Sequence, residues 1–380
     1  VVIPAKQHDY LSAVKMVNNL LRSGIEIQKA NSQFMVDNIH YDKGSYIISL
    51  AQPKMGLIRN LLVETHYADN AWTRKEDGSP VYPYDLATHT MFEFMGVQVD
   101  AKAVDVKGDF SILESKEAPD GFIEEGNKGY LLDGRSNQSY RAVNMLIEEG
   151  VKVKRLTAQF GDFHPGDFVV SRGHKKVIET ISKNTGVHFM PLNSLPKKEI
   201  INLERGRLAL FQRYNGGNMD EGWTRQCLEN FSFPYHTLMG NEIKEGKLID
   251  KWDVIILPSD SPDGIKGTYS PNSYRQPEKY PEKYMNGMGK EGVEALKEFV
   301  KAGGTLVALG SSYEFAVKEF DLKVRNLTDD LESKKFFCPG STIKVNFDNT
   351  DPLAYGMPDE GLVLFRSSPT FAVSPSRKNT

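Results

Sequence analysis
Cysteine is almost absent: the 380-residue chain has two, Cys227 and Cys338. That excludes a disulfide framework and any four-cysteine zinc site, and leaves at most one bridge. No apolar run reaches the 18 or so residues needed to span a bilayer as a helix. Charge of one sign is also missing, since 47 Lys and Arg stand against 50 Asp and Glu. A net charge of -3 gives no global field for nucleic acid or an anionic membrane, so any ligand must be recognised locally. None of the eight histidines is followed by Glu three residues later or by His four residues later, so local zinc-ligand spacing is lacking. The start, Val1-Val2-Ile3-Pro4, reads as a strand inside a longer precursor, and the last residues read as a loop cut short.

What is present is α/β punctuation. Strand-like runs at 1–5, 25–29 and 46–50 flank an amphipathic helix over 9–22, with Val14, Val17, Leu20 and Leu21 on one stripe and Gly24 as its permissive stop. The pattern returns: Val17-Asn18, Leu20-Leu21, Gly24 and Gln33-Phe34 match Val143-Asn144, Leu146-Ile147, Gly150 and Gln159-Phe160 at a constant offset of 126. After a slip of four, Gly44 to Ser49 matches Gly166 to Ser171, and helical stretches follow at 54–64 and 175–184. Two copies of a β-α-β-β-α unit are expected, as residues 1–104 and 105–204; two are too few for a solenoid. Between them lie Trp72, a charged turn over 74–78, and a helix running to Met95, capped by Asp85 and ended by Gly96. Asp85 and His89 share a helix face, but capping accounts for Asp85 without chemistry.

From Arg207 a new series begins, with strands at 208–212, 235–238, 254–258 and 305–309 and helices at 220–231 and 291–302. Such alternation predicts a flavodoxin-like parallel sheet over 205–380. Its intervening segment 260–289 is longer than a normal connection and reads as a lid or docking surface. Trp223, Cys227 and Phe231 are spaced like a buried helix stripe. The candidate ligand crevice is the carboxyl edge of this sheet. There Asn215, Gly216 and Gly217 form a turn able to cradle an anion, and Ser259 meets Gly310, Ser311 and Ser312. Ser311 and Ser312 occupy a small strand-to-helix elbow of the kind that exposes a nucleophile, with Tyr313 where that motif has Gly.

Val1 to Ala5, Tyr46-Ile47-Ile48, Pro83-Tyr84-Asp85 to His89-Thr90 and Met95-Gly96-Val97 resemble the region downstream of the catalytic domain in large bacterial zinc carboxypeptidase-like proteins of the carboxypeptidase A type. Arg207 to Phe211, Gly222-Trp223-Thr224, Trp252 to Pro258 and Gly303 to Gly310 resemble the class I glutamine amidotransferase-like domain that follows in the same proteins. The resemblance implies a metallocarboxypeptidase parent whose zinc lies upstream, no cofactor in this segment, and a periplasmic, cell-surface or secreted location. Implied partners are the parent's own catalytic domain and a peptide or glycan ligand, with no nucleic acid and no membrane span. The family's His-x-x-Glu pair is not in this chain, and Ser311-Ser312 stand where an active amidotransferase has Cys. The expected role is thus a non-catalytic accessory and binding region. The rivals are a serine-dependent or degenerate hydrolase or amidotransferase-like enzyme in the last domain, and a structural assembly module.

Overall fold
The computed structural model describes residues 1–84, 90–124, 126–196, 198–213, 218–268, 287–366 and 368–373. The chain divides into two compact units, residues 1–203 with 331–367, and residues 204–330 with 368–380. The expected domain 205–380 is therefore interrupted, because a hairpin-bearing excursion from it belongs to the first unit.

In the first repeat β1 (Val2–Ile3) leads to α1 (Tyr10–Arg22), β2 (Gln28–Ala30), a small hairpin of β3 (Phe34–Val36) and β4 (Ile39–Tyr41), β5 (Tyr46–Ile47), α2 (Met55–Leu62), α3 (Met91–Met95) and β6 (Phe110–Ile112). In the second, β7 (Gly129–Leu132), α4 (Asn137–Glu148), β8 (Val153–Leu156), β9 (Phe168–Ser171), α5 (Lys175–Thr185), β10 (Met190–Leu192) and β11 (Ile200–Asn202) follow. The sheet orders are β1-β5-β2-β6 and β10-β7-β9-β8-β11, all antiparallel. A bridge from Val2 to Asp100 stands where Leu131 pairs with Met190. Register agrees as well. Val2 opposes Ile47 as Leu131 opposes Val169, and Gln28 opposes Ile47 as Lys154 opposes Val169. Gln28 opposes Ile112 as Lys154 opposes Asn202. Since a slip of one residue would turn every side chain to the other face, this agreement preserves the inward set. Ile3, Tyr46 and Ile48 pack with α1 and α2, whereas Val2 and Ile47 face the β3–β4 side. Leu132, Phe168 and Val170 pack with α4 and α5 in the same way.

Two expectations need correction here. The first sheet closes at β6, beyond the boundary placed at 104, because apolar β6 completes the sheet edge beside β2. The helix ending at Gly96, which is left-handed at φ 62°, begins at Met91 with Thr90 as its N-cap. Asp85 and His89 lie outside the described residues.

One side chain joins the repeats. Asp9 is the N-cap of α1, its Oδ1 accepting the Leu11 N–H at 3.1 Å and the Ser12 N–H at 3.4 Å. The same carboxylate accepts the Ser136 hydroxyl at 3.1 Å and the Asn137 N–H at 3.0 Å, at the start of α4. Two helix N-termini, each carrying partial positive charge, thus converge on one 8% exposed carboxylate.

The second unit contains β12 (Leu208–Gln212), α6 (Met219–Asn230), β13 (Tyr235–Met239), α7 (Gly240–Lys244), α8 (Leu248–Lys251), β14 (Val254–Leu257), α9 (Pro262–Lys266), α10 (Gly289–Lys301), β15 (Thr305–Ala308) and α11 (Ser312–Glu319). Its sheet is wholly parallel in the order β13-β12-β14-β15. The second, first, third and fourth strands side by side make the doubly wound arrangement whose switch point falls between β12 and β14. The architecture is α/β, with the duplicated sheet arrangement followed by the parallel sheet. The continuous runs Leu208 to Phe211 and Val254 to Leu257 suit strands covered on both faces. Segment 260–289 begins with α9, and its residues 269–286 lie outside the described residues. α6 departs from expectation: Trp223 is 67% exposed and Cys227 is exposed, because the helix turns Glu221, not that stripe, inward. Both cysteines are free thiols. β16 (Val324–Asn326) pairs with β19 (Phe371–Val373), and between them β17 (Pro339–Asn346) and β18 (Glu360–Arg366) form the hairpin of the first unit.

Candidate functional site
The carboxyl edge of the parallel sheet brings together four of the residues expected there. The Ser259 hydroxyl accepts the Ser311 N–H at 3.1 Å, tying the end of β14 to the end of β15. Gly310 makes this approach possible, since at φ 50° a Cβ would stand 2.4 Å from Ser259 Oγ. Ser312 is wholly buried; its hydroxyl accepts the Asp260 N–H at 3.1 Å and donates to the Pro258 carbonyl at 2.5 Å. Ser312 is therefore a clasp between two strand ends, and the expectation of it as a nucleophile or ligand contact is corrected on that ground. Asn215, Gly216 and Gly217 lie outside the described residues.

The histidine of this unit is far from the serines. His236 is level with Ala209, which is level with Ile255 and hence with Leu306, so three strand spacings, about 14 Å, separate His236 from β15. Ser311 lies further still, past the carboxyl end of that strand. The His236 ring stacks on Trp252 at 4.9 Å and its Nε2 lies 2.9 Å from Glu242 Oε1, a carboxylate partner that the sequence did not reveal. Although burial pushes the Glu242 carboxyl up, the Met239 N–H and His236 hold it below its usual range.

Sequence reading also missed the polar brace at the switch point. Arg213, directly after β12, places Nε 2.6 Å from Asp260 Oδ2, both side chains being buried. Asn218 caps α6 through Oδ1 and donates from Nδ2 to the Ser259 carbonyl at 3.1 Å. The available signal was a charged residue just past each of two largely apolar strands, Arg213 after β12 and Asp260 three residues after β14.

A cleft of about 650 Å³ lies in the first unit. One wall is the segment 64–80, which is braced by hydrogen bonds within itself. Arg74 grips Asp69 through Nε and Nη2, each at 2.7 Å, and donates from Nη1 to the Gly78 carbonyl at 3.0 Å. Asp77 accepts the Ser79 N–H at 2.9 Å and its hydroxyl at 2.6 Å, which with nearby Lys334 holds the Asp77 carboxyl down to about 2. The other wall comes from the excursion: Lys334, Lys335, Phe337, and Ser341, Thr342 and Lys344 of β17. Glu93 of α3 meets it, accepting the Thr342 hydroxyl at 3.1 Å. Next to the lining residue Thr73, Trp72 is 92% exposed, and Tyr82, 64% exposed, is held edge-on to the lining residue Phe337 at 4.9 Å. The Arg74–Pro80 bridge and the Val81 N–H to Thr73 carbonyl bond place Trp72 and Tyr82 opposite one another across a short ribbon. Wet aromatic faces beside a polar channel suit the stacking of a polar, partly apolar ligand.

Among the described residues, no three of His, Cys, Asp and Glu are grouped to hold a metal ion. Also among them, no helix is long and apolar enough to cross a membrane. Compared with known proteins, the chain matches no family model, no curated protein and no solved structure.

Proposed function
We propose that this chain is a non-catalytic accessory region that binds an extended polar ligand, a peptide or a glycan, in the cleft of its first unit. It serves a zinc carboxypeptidase-type catalytic domain, on the resemblance of its sequence, in the periplasm or at the cell surface. The observation that supports the binding role is the cleft itself: walls of charged and polar side chains of both signs, with exposed Trp72 and Tyr82 beside its lining residues Thr73 and Phe337. In this reading zinc and peptide hydrolysis belong to the catalytic domain. A serine hydrolase in the second unit is less well supported, because the Ser312 hydroxyl is engaged by backbone and His236 is remote from Ser311.

The test is calorimetric titration of the purified chain with peptides and with peptidoglycan-derived oligosaccharides. Saturable binding that is weakened up to about tenfold by Trp72→Ala supports the proposal, a single well-placed aromatic contact being worth roughly 0.5–1.5 kcal/mol. Binding indifferent to Trp72, Arg74 and Lys335 substitutions overturns the cleft as the site.

A further inference from the structure
A second opening, of about 370 Å³, lies where the repeats meet, and it shares no residue with the cleft. Its lining carries four cations, Lys15, Arg22, Lys116 and Lys183, all exposed. None of them forms an ion pair or side-chain hydrogen bond among the described residues. The one acidic residue in the lining, Glu117, is engaged elsewhere, its Oε1 against Lys29 Nζ and its Oε2 accepting the Tyr46 hydroxyl. The groove is therefore strongly cationic within a protein whose net charge is -3.

Its geometry is built rather than incidental. Lys15, Asn18 and Arg22 stand at i, i+3 and i+7, on one face of α1. Asn18 clasps the facing chain, donating Nδ2 to the Glu117 carbonyl at 2.8 Å and accepting the Glu117 N–H at 2.9 Å. That double bond to the backbone holds Lys116 beside α1. Opposite, the last turn of α5 brings Lys183, with Gly186 in the left-handed region at φ 74° ending the helix. Arg22 and Lys183 have a plain structural reason to be there, since each lies in the last turn of a helix and favours its negative end. Lys15, in mid-helix, and Lys116, in the segment between β6 and β7, lie at no helix end.

We propose that this groove binds an oligoanion, a ligand bearing two or more phosphate or sulfate groups. Lys15 and Arg22 lie about 10 Å apart along α1 at 1.5 Å per residue, enough for two separate anionic groups. Such binding is charge-driven and weakens as salt screens it.

The experiment is titration of the full chain with inorganic tripolyphosphate and with a sulfated oligosaccharide, at low and at raised ionic strength. The expected result is saturable binding of at least one probe, weakened by salt and reduced about tenfold in a Lys15→Gln, Lys116→Gln double variant. Lys334→Gln with Lys335→Gln, in the cleft, leaves it unchanged. Absence of saturable binding by both probes, or equal loss in the two double variants, overturns the proposal. Because this site and the cleft are varied separately, failure here leaves the cleft reading intact.

Discussion

Replacing Asp9 should loosen two helices that lie more than a hundred residues apart in the chain. In the native protein its carboxylate accepts N–H groups of Leu11, Ser12 and Asn137 and the Ser136 hydroxyl. Loss of a helix N-cap costs about 1 kcal/mol, and the attraction between a carboxylate and a helix N-terminus adds about 0.3–1 kcal/mol for each helix. With two helices served by one group, Asp9→Ala should cost about 3 kcal/mol, because Ser136 has no cap bond of its own to fall back on. Asp9→Asn keeps one acceptor oxygen, enough to cap α1, but sets an amide NH2 where Oδ2 accepted the Asn137 N–H and removes the charge, and should cost about 2 kcal/mol. Asp9→Ser can still cap α1 but is too short to reach Asn137. Amide hydrogen exchange read by mass spectrometry separates these outcomes. In Asp9→Ala, where each helix loses about half of that sum, protection should fall about tenfold in peptides covering both 10–22 and 137–148, at 1.4 kcal/mol per tenfold. In Asp9→Ser the loss should be confined to 137–148. If Asp9→Ala deprotects 10–22 alone, the shared cap is not what joins the repeats and the reasoning fails.

Ser312→Ala should lower the stability of the second unit by about 1–3 kcal/mol, since it orphans the Asp260 N–H and removes a donor from the Pro258 carbonyl. Calorimetry measures this, and labelling of Ser312 in the native chain by a fluorophosphonate would contradict it. Gly356→Ala should cost about 2–4 kcal/mol in urea unfolding, because at φ 85° its new Cβ would stand 2.3 Å from the Gly134 carbonyl oxygen; an unchanged midpoint would count against the docking of the excursion. Asp77 should titrate by carbon NMR near its held-down value of about 2 instead of the ordinary 3.8. As its folded pKa is depressed, its support for the 74–80 turn is complete above pH 3.8 and is lost as pH falls through about 2; a midpoint at the ordinary value refutes the Ser79 bonds.

The elements that local chemistry dictates were readable in the chain. Asp9 before the stripe Val14, Val17 and Leu20, with Gly24 left-handed at φ 76° just past the end, marks a helix whatever surrounds it. Apolar runs such as Val254 to Leu257 mark strands buried on both faces, and the spacing shared between Val17-Asn18 and Val143-Asn144 marked a repeat. Even the meeting of Ser259 with Gly310-Ser311 followed from strand order, because a parallel sheet gathers its carboxyl ends. Trp223 and Cys227 show where spacing misleads: a stripe reveals periodicity, but which face is covered depends on what packs there, and on α6 the inward residue is Glu221. What only tertiary structure decided are contacts between distant segments. No local rule sends 331–367 back to the first unit to wall a cleft with 64–80, nor makes one carboxylate cap two helices 128 residues apart at Asp9 and Asn137. Helices, caps and turns are selected by free-energy differences within a few neighbouring residues, whereas a cleft or a shared cap depends on how loops close over the whole chain, and that cost and its compensation are settled only in the folded core.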